Sequence, residues 1–264
     1  MLNNELYIRL GLFIGVLALM ALLETIFPKR PRRFDRLVRW PGNFLLLMMN
    51  SFALRLVFPI TAVGFALFCT EQKFGLLNQL ELPFPLSVAI AMLLLDLTIY
   101  AQHVIFHRVP ILWRIHRMHH TDLDLDVTSG TRFHPLEILL SMLIKLAAIW
   151  LIGAPAVAVM LFEILLNAGA MFNHANLRIP AGLDGALRLL VVTPDMHRVH
   201  HSIIPAETNS NFGFNLPWWD RLFGTYIAQP ESGHSGMTIG LAEVQNIDAQ
   251  RIDKMLAQPW EKTG

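Results

Sequence analysis

Long apolar stretches alternate with polar segments along the chain. The apolar stretches cover residues 10–28, 43–69, 86–107 and 135–172. A predominantly apolar run of roughly 18 residues or more is long enough to cross a bilayer as a helix. The pattern therefore predicts an all-α integral membrane bundle with about three to five membrane-inserted helices.

Two of these stretches contain breaks. Arg55 and Pro59 interrupt the second stretch, which predicts a kinked helix. Gly153 and Pro155 interrupt the last stretch, and this predicts a helical hairpin because glycine and proline together end helices. Each arm of the hairpin is short for a full crossing, which leaves tilted or partial insertion open.

Composition favours the same class of protein. Apolar residues make up 54% of the chain and charged residues 16%, whereas a soluble domain carries about a quarter charged residues. Cys69 is the single cysteine, which excludes an intrachain disulfide and a thiolate-based zinc or iron–sulfur site.

A basic segment follows the first apolar stretch. Residues 29–39 contain six Lys or Arg residues and one acidic residue, Asp35. A basic run alone is compatible with nucleic-acid binding, but directly after a membrane-spanning helix it is more typical of a cytoplasmic loop. We therefore expect no nucleic-acid partner. If the chain crosses the membrane once with each apolar stretch, the end of the third stretch lies at the cytoplasmic face.

Glu24, near the end of the first stretch, requires an interfacial position or an arginine partner.

Histidines are concentrated in three boxes, which hold eight of the eleven in the chain. Residues three and four apart share one helix face, so each box presents its imidazoles together. Neutral imidazole suits iron, zinc and copper, and eight ligands exceed the needs of one ion. The boxes therefore predict two metal ions with open coordination positions. Their members are His103 and His107; His116, His119 and His120; and His197, His200 and His201.

The remaining histidines are predicted to differ in role. His174 follows Asn173 at the end of the hairpin and is a further predicted metal ligand. His134, which precedes Pro135, is interpreted as an additional ligand or as a residue that orients one. His234 lies in the polar C-terminal region and is predicted to be an ordinary surface residue.

Three aspartates, Asp122, Asp124 and Asp126, follow the second box at alternate positions. They are interpreted as part of a solvated loop. The alternative is that these carboxylates orient imidazoles through the ring nitrogen that does not bind metal.

These boxes and their neighbouring motifs resemble the fatty acid hydroxylase/sterol desaturase superfamily over residues 90–226. The resemblance implies a helical membrane fold with a cytosolic histidine cap, a di-iron centre and O2-dependent hydroxylation or desaturation of a lipid such as a sterol or a fatty acyl chain. Zinc is a possible substituted metal. The motifs outside the boxes are Phe133-His134-Pro135-Leu-Glu137, Asn173-His174-Ala-Asn176, and the run from Asn211-Phe-Gly to Trp219-Asp220-Arg221-Leu-Phe-Gly-Thr-Tyr226.

The resemblance also raises one discrepancy and one requirement. Some relatives carry a histidine three residues before the one matched by His174, and this chain has Met171 there. One metal is then short of a ligand unless His134 or water replaces it. The chain shows no flavin, dinucleotide, haem or iron–sulfur motif, so we expect an external electron donor, namely a reductase, a ferredoxin or a b-type cytochrome.

We expect three parts along the chain. Residues 1–42 form an anchor helix and a basic cytoplasmic loop, residues 43–226 form the membrane and catalytic domain, and residues 227–264 form a soluble tail. Candidates for a wall over the site and its substrate are Asn173, Phe212, Trp218 and Trp219.

The cap and the C-terminus are expected in the cytoplasm. The brevity of the chain and its lack of a retention tail suggest the inner membrane of a bacterium. The alternative function is a non-enzymatic membrane metal-binding protein or a divalent-cation carrier, although carriers usually place their ligands near the bilayer midplane.

Overall fold

The computed structural model describes residues 4–261, which form helices joined by loops. The helices that carry the long apolar segments and the second histidine box are α1 Glu5–Ile26, α2 Arg36–Val57, α3 Ala62–Glu71, α4 Phe84–Arg108, α5 Pro110–His120, α6 Pro135–Ile152 and α7 Ala156–His174. The shorter helices that follow are α8 Ala181–Leu187, α9 Pro194–His200, α10 Pro205–Thr208, α11 Trp218–Leu222, α12 Gly233–Gly236 and α13 Ile252–Ala257.

Within residues 4–261, five segments are long and apolar enough to cross a membrane. The predicted all-α membrane bundle is therefore confirmed, and the chain is a membrane protein. The segments are Glu5–Ile26, Arg36–Gln79, Phe84–Arg108, Pro135–Ile152 and Ala156–His174.

The second segment is broken where the sequence predicts a kink. Helix α2 ends at Val57, just before Pro59, which cannot donate a backbone hydrogen bond. Helix α3 then starts with a cap, because the Thr61 hydroxyl accepts a hydrogen bond from the Gly64 amide at 3.0 Å.

The predicted hairpin is also present as α6 and α7. Gly153 ends α6 in the left-handed region at φ 70°, which suits glycine. A Cβ atom on Gly75 would lie 2.1 Å from the Gly153 nitrogen, so these two glycines allow the hairpin turn to pack against the loop after α3. Glu163 of α7 is buried and pairs with Arg9 at 2.9 Å and with Lys145 at 2.6 Å, and these contacts join α1, α6 and α7.

The polar segments of the chain, residues 110–134 and 175–261, are called the cap. The spanning helices meet the cap at the ends opposite the turn between α6 and α7. Glu24, at the end of α1, pairs with Arg36 at 2.7 Å and accepts hydrogen bonds from the amides of Val127 and Asn176. The predicted need of Glu24 for an arginine partner is therefore confirmed.

The C-terminal residues pack against the rest of the cap. Arg117 donates two hydrogen bonds to the Gln258 carbonyl, and Arg132 donates one to the Gln250 side chain. Arg30 donates to the carbonyls of His234 and Met237. The C-terminal segment and the basic segment are thus held against the rest of the cap. The expected domain boundary between residues 42 and 43 falls inside α2.

Candidate metal centre

Nine histidines converge where the spanning helices meet the cap. Within each of two groups, the nitrogen atoms available for a metal lie within 4.8 Å of one another. The nine are those predicted from the sequence. The outer group is His103, His107, His116, His120 and His200; the inner group is His119, His174, His197 and His201.

The three boxes do not correspond to separate metal sites. Histidines four residues apart stay together: His103 with His107 in the outer group, and His197 with His201 in the inner group. His119 and His200, the other members of their boxes, point into the opposite group from their neighbours. Helices α5 and α9 therefore contribute to both groups and fix the distance between them.

Hydrogen bonds set the orientation of the outer imidazoles. The Nδ1 atoms of His103 and His200 donate to the carbonyls of Phe212 and Ser210, each at 2.8 Å. The Nε2 atom of each ring then carries a lone pair, and it is buried with no hydrogen-bond partner. A buried lone pair without a donor is unfavourable in a protein, but it suits a metal ligand.

His116 of the outer group has a carboxylate partner. Its Nδ1 atom lies 2.7 Å from Glu137 Oε1, and its Nε2 atom is buried without a partner. A carboxylate on the second nitrogen fixes the tautomer and makes an imidazole a stronger metal ligand. The sequence places Glu137 in a motif with His134 but does not identify it as the partner of His116.

The inner group has facing nitrogen atoms that favour a bound cation. His119 Nδ1 donates to the Arg132 carbonyl at 3.0 Å, and His174 Nδ1 donates to the Ala170 carbonyl at 2.7 Å. Their Nε2 atoms therefore both carry lone pairs, yet they lie 3.0 Å apart. Two facing lone pairs repel unless a positive ion lies between them.

The spacing of the inner nitrogens fits one metal ion. His197 Nε2 lies 3.0 Å from His174 Nε2 and 3.2 Å from His201 Nε2. With metal–nitrogen bonds of about 2.0–2.1 Å, ligands at right angles are about 3.0 Å apart and tetrahedral ligands about 3.4 Å apart. The residues present therefore fit a metal ion.

The cap environment keeps these imidazoles neutral. Burial, and after it the neighbouring imidazoles, lower the pKa of His119, His120, His197 and His201 well below the usual value. The same causes lower the pKa of His200 to about 3. At pH 7 each of these five rings therefore offers a lone pair to a metal.

A buried ionic network holds the loop after the second box. The Arg39 guanidinium contacts Asp122 Oδ2 at 2.7 Å and Asp126 Oδ2 at 2.6 Å, and all three side chains are buried. Burial raises the pKa of Asp122, but the charges of Arg39 and Arg132 more than offset it and hold the pKa at about 2. The Asp122 carboxylate is thus an ionised partner of arginine.

The interpretation of these aspartates as a solvated loop is therefore wrong, because Asp122, Asp124 and Asp126 are all buried. The alternative, direct bonds to imidazoles, does not hold either. Asp122 and Asp126 bind Arg39, and Asp124 accepts from the amides of Arg33 and Phe34. Arg39 was also expected in a loop, whereas it lies in α2 and is fully buried.

The roles predicted for two other histidines need correction. His134 Nδ1 accepts from the Leu136 amide at 3.1 Å and Nε2 donates to the Leu256 carbonyl at 3.2 Å, so it caps α6 and leaves no nitrogen for a metal. It lies outside both groups. His234 is not a surface residue, since only 8% of it is exposed and Nε2 lies 3.6 Å from Asp195.

Met171 is buried in an apolar cluster with Met20, Val127, Ala175 and Leu177. The inner group consists of four imidazoles without a contribution from this position. His134 does not replace it, because both of its nitrogens are engaged.

Aromatic rings surround the imidazoles. Phe212, a predicted wall residue, lies 5.1 Å from the His107 ring. Phe133 stacks on His119 at 4.6 Å, and Trp113 lies 4.7 Å from His107. The sequence signals for these two residues are local: Trp113 lies three positions before the second box, and Phe133 belongs to the motif that contains His134.

The other predicted wall residues make hydrogen bonds with the protein instead of stacking on the imidazoles. Asn173 donates to the Phe214 carbonyl at 3.1 Å. Trp218 donates to the Leu189 carbonyl and Trp219 donates to Asp96 of α4. These residues hold the segment around α11 in place.

A cavity of about 300 Å³ lies beside His107, which is the partly exposed member of the outer group. Its lining combines apolar side chains with polar ones at the cap surface. The lining includes Trp113, Ile203, Thr208, Asn209, Leu241 and Glu243.

Comparison with known proteins identifies relatives of this chain. The Fatty acid hydroxylase family model matches residues 88–225, just over half of the chain. The ornithine lipid hydroxylase OlsE of Rhizobium tropici is 31% identical over 185 residues, which cover 69% of this chain and 53% of that protein. The alkylglycerol monooxygenase of Xenopus tropicalis is 30% identical over 162 residues, or 60% of this chain and 35% of that protein.

The cholesterol 25-hydroxylase of Rattus norvegicus is 23% identical over 146 residues, covering 55% of this chain and 48% of that protein. The matches thus span about half of the ornithine lipid hydroxylase and about a third of the alkylglycerol monooxygenase. No solved structure gives a significant match. The family match contains all three histidine boxes, and the chain belongs to the fatty acid hydroxylase family.

Proposed function

We propose that this protein is a membrane-bound oxygenase that uses O2 to hydroxylate or desaturate a lipid, with one iron ion in each histidine group. The observation that carries the proposal is the pair of adjacent groups with lone pairs directed inward. The groups are close: the rings of His120 and His201 lie 4.5 Å apart, and those of His197 and His200 lie 5.1 Å apart.

The donor set supports iron as the metal. All nine candidate ligands are imidazoles, and imidazole suits iron as well as zinc and copper. Bound iron would supply the activation of O2 needed to attack an unactivated C–H bond, which side chains do not perform.

The chain's own residues prepare the site for that chemistry. The carbonyls of Phe212, Ser210 and Arg132 hold the Nδ1 protons of three ligands, so that each Nε2 lone pair faces the metal position. Glu137 does the same for His116 with a negative charge. Burial of the rings excludes bulk water.

The position of the centre favours a lipid substrate. The histidines lie at the ends of α4 and α7, next to the apolar surface of the bundle. The cavity beside His107 gives space for the reacting part of the substrate, with Trp113, Ile203 and Leu241 as its apolar lining and Glu243 at its rim. The relatives are named for ornithine lipids, alkylglycerols and cholesterol, which share a hydrocarbon part that dissolves in the bilayer.

The reaction needs electrons that this chain does not supply by itself. An external reductase, ferredoxin or b-type cytochrome is proposed as the donor. The basic segment at residues 29–39 supports a cytoplasmic cap and C-terminus, which would place the centre in the compartment that holds such donors. For a bacterial source the membrane would be the inner one.

Turnover with isotopically labelled O2 tests this proposal. The protein is reconstituted with iron, a chemical reductant and vesicles of total bacterial lipid extract, and the lipids are analysed by mass spectrometry. We expect a lipid that gains one labelled oxygen atom, or one that loses two hydrogens. The His200→Ala variant should form neither product, and His234→Ala should match the wild type.

Transport of divalent cations without O2 consumption would identify the alternative function, a cation carrier. If metal-loaded protein consumes no O2 and instead moves divalent cations across sealed vesicles, the protein is a carrier and the oxygenase proposal is wrong.

A further inference from the structure

An exposed apolar surface lies on the cap outside the five candidate spans. Leu222 is 69% exposed and Phe223 is 56% exposed, although both lie in or beside the short helix α11. A contiguous apolar surface of this kind marks a site of protein or membrane interaction. We call it the apolar shelf; its residues are Leu183, Leu189, Leu190, Val191, Trp218, Leu222 and Phe223.

The shelf is one continuous surface because hydrogen bonds join its two segments. The Val192 amide donates to the Asn215 carbonyl at 2.9 Å, and Trp218 Nε1 donates to the Leu189 carbonyl at 2.7 Å. Arg221 also donates to the Arg188 carbonyl at 3.0 Å.

Contacts with α4 place the shelf at bilayer depth. Trp219 donates to Asp96 at 2.8 Å, and Phe223 stacks on Tyr100 at 5.5 Å. Asp96 precedes His103 by seven residues, so at about 1.5 Å per residue it lies about 10 Å further from the cap end of the helix. Helix α11 therefore lies beside α4 at a level deeper than His103.

Contacts with α7 give the same depth independently. A Cβ atom on Gly169 would lie 2.5 Å from Asn215 Oδ1, so glycine is what lets Asn215 approach this helix. Gly169 precedes His174 by five residues, which corresponds to about 7 Å along α7. Two spanning helices thus agree on the level of residues 215–223.

The backbone of this segment is satisfied as a lipid environment requires. Asp220 accepts from the amides of Phe212 and Gly213, each at 2.8 Å, and Asp96 accepts from the Leu216 amide at 3.3 Å. Both carboxylates are buried. Irregular backbone at membrane depth is tolerated when its polar groups are bonded to protein.

We propose that the apolar shelf is embedded in the bilayer leaflet on the cap side, at the level of the metal centre. The shelf packs against α4 through Trp219 and Phe223, and the exposed Arg221 at its edge suits the negative headgroups of that leaflet. The membrane then covers leucine, tryptophan and phenylalanine side chains that water would otherwise contact.

The inner edge of the shelf leads to the outer group. The ring of Phe223 stacks on that of Tyr100. The ring centres of Tyr100 and Phe212 are 6.4 Å apart, and those of Phe212 and His107 are 5.1 Å apart. Hydrocarbon in the leaflet therefore approaches the centre through an aromatic wall. This use of the shelf rests on the proposed function, whereas its insertion does not.

Fluorescence quenching in vesicles tests the insertion without measuring activity. Leu222→Cys and Leu189→Cys are made separately in a Cys69→Ala background and labelled with an environment-sensitive dye. The protein is reconstituted in vesicles of phosphatidylethanolamine and phosphatidylglycerol that contain a nitroxide-labelled acyl chain. Leu93→Cys on the exposed face of α4 is the lipid control, and Asp248→Cys on the cap surface is the water control.

Both shelf labels should be quenched by the acyl nitroxide as strongly as the Leu93 label, and at least about twofold more than the Asp248 label. Quenching equal to the Asp248 control would overturn the proposal. So would protection from both nitroxide lipid and aqueous iodide together with a crosslinked dimer, because a second copy would then cover the shelf. Metal content measured on the same variants shows that the fold is retained, so failure of the shelf is distinguishable from failure of the oxygenase proposal.

Discussion

The outer and inner histidine groups are built from the same helices but differ in access. The inner group is fully buried, and its Nε2 atoms form a chain of 3.0–3.2 Å contacts from His119 to His201. The outer group has an additional imidazole, its ring from His107 is partly exposed, and a cavity lies beside that ring. We therefore expect the outer metal to meet the substrate and the inner metal to be closed off by protein.

The residues that orient the imidazoles also differ between the two groups. The inner group depends on the Arg132 carbonyl, in a loop held by Arg39 and Asp122. The outer group depends on Glu137 and on carbonyls of the segment that follows α9. Each group can therefore be weakened separately.

The largest effect is expected from removing one ligand. His174→Ala leaves three imidazoles in the inner group, whereas His107→Ala leaves four in the outer group. Because a closed site needs about four protein ligands, His174→Ala should lose about half of the bound metal and all activity, and His107→Ala should keep more metal. Elemental mass spectrometry on protein purified without oxygen measures this. Equal metal loss in the two variants would contradict the comparison.

The next effect concerns the ionic network below the inner group. Arg39→Met removes the ion pairs of the buried Asp122 and Asp126 with this guanidinium, which costs about 3–5 kcal/mol of folding stability. The apparent melting temperature in detergent should fall, and the inner metal should be lost first. The control is Arg251→Met, which breaks the exposed pair with Asp253 and should leave the melting temperature unchanged. A stable Arg39→Met variant with full metal content would show that the network does not support the site.

A weaker effect is expected for the outer group alone. Glu137→Gln keeps the shape of the side chain but removes the charge that supports His116. The affinity of the outer site for metal should fall by about 10–100-fold, as measured by competition with a chelator. Glu231→Gln, at an exposed position on the cap, is the control. Loss of the inner metal in Glu137→Gln would mean that the groups are not supported independently.

The smallest effect lies outside both groups. Burial lowers the pKa of His234 to about 4, despite the nearby Asp195. Below pH 6.5 the unfolded chain binds a proton that the folded His234 does not, so this residue lowers stability as the pH falls from about 6.5 to about 4. At pH 5 the loss is about 1–2 kcal/mol relative to pH 7, and His234→Gln should lack it.

Melting temperatures of wild type and His234→Gln at pH 7 and pH 5 measure this difference. Lys29 and Arg198, the cations near Asp195, are unchanged in the variant, so the comparison isolates the histidine. A parallel decline in both proteins would show that His234 is protonated in the folded state.

Much of the fold follows from local patterns in the sequence. The apolar stretches, Pro59 and Gly153 predict the spanning segments and their breaks, because helix formation and helix ends are encoded within a few residues. The i, i+4 spacing likewise predicts that His103 and His107 share one face.

The division of the histidines into two groups could not be predicted from local patterns, because it depends on how α5 and α9 lie relative to α4 and α7. Spacing alone does not show that His119 and His200 point into the opposite group from their neighbours. The same reason applies to Arg39, which meets Asp122 and Asp126 more than eighty positions along the chain. It also applies to Glu137, since one carboxylate in the first turn of a helix is an ordinary feature.

The predictions for His134 and His234 are wrong for a related reason. A histidine before a proline at a helix start has a local use as a cap, which occupies Nδ1 of His134, and the C-terminal segment occupies Nε2 through the Leu256 carbonyl. His234 lies in a polar segment, but the tertiary fold brings that segment against Asp195 and Arg30 and buries it.

The iron content per chain tests the central claim most directly. Elemental mass spectrometry on wild-type protein, purified without oxygen and loaded with ferrous iron, should give about two iron ions per chain, and His174→Ala should give about one. A wild-type value of about one or less, or a His174→Ala value equal to the wild type, would contradict an account based on two histidine groups that each hold a metal.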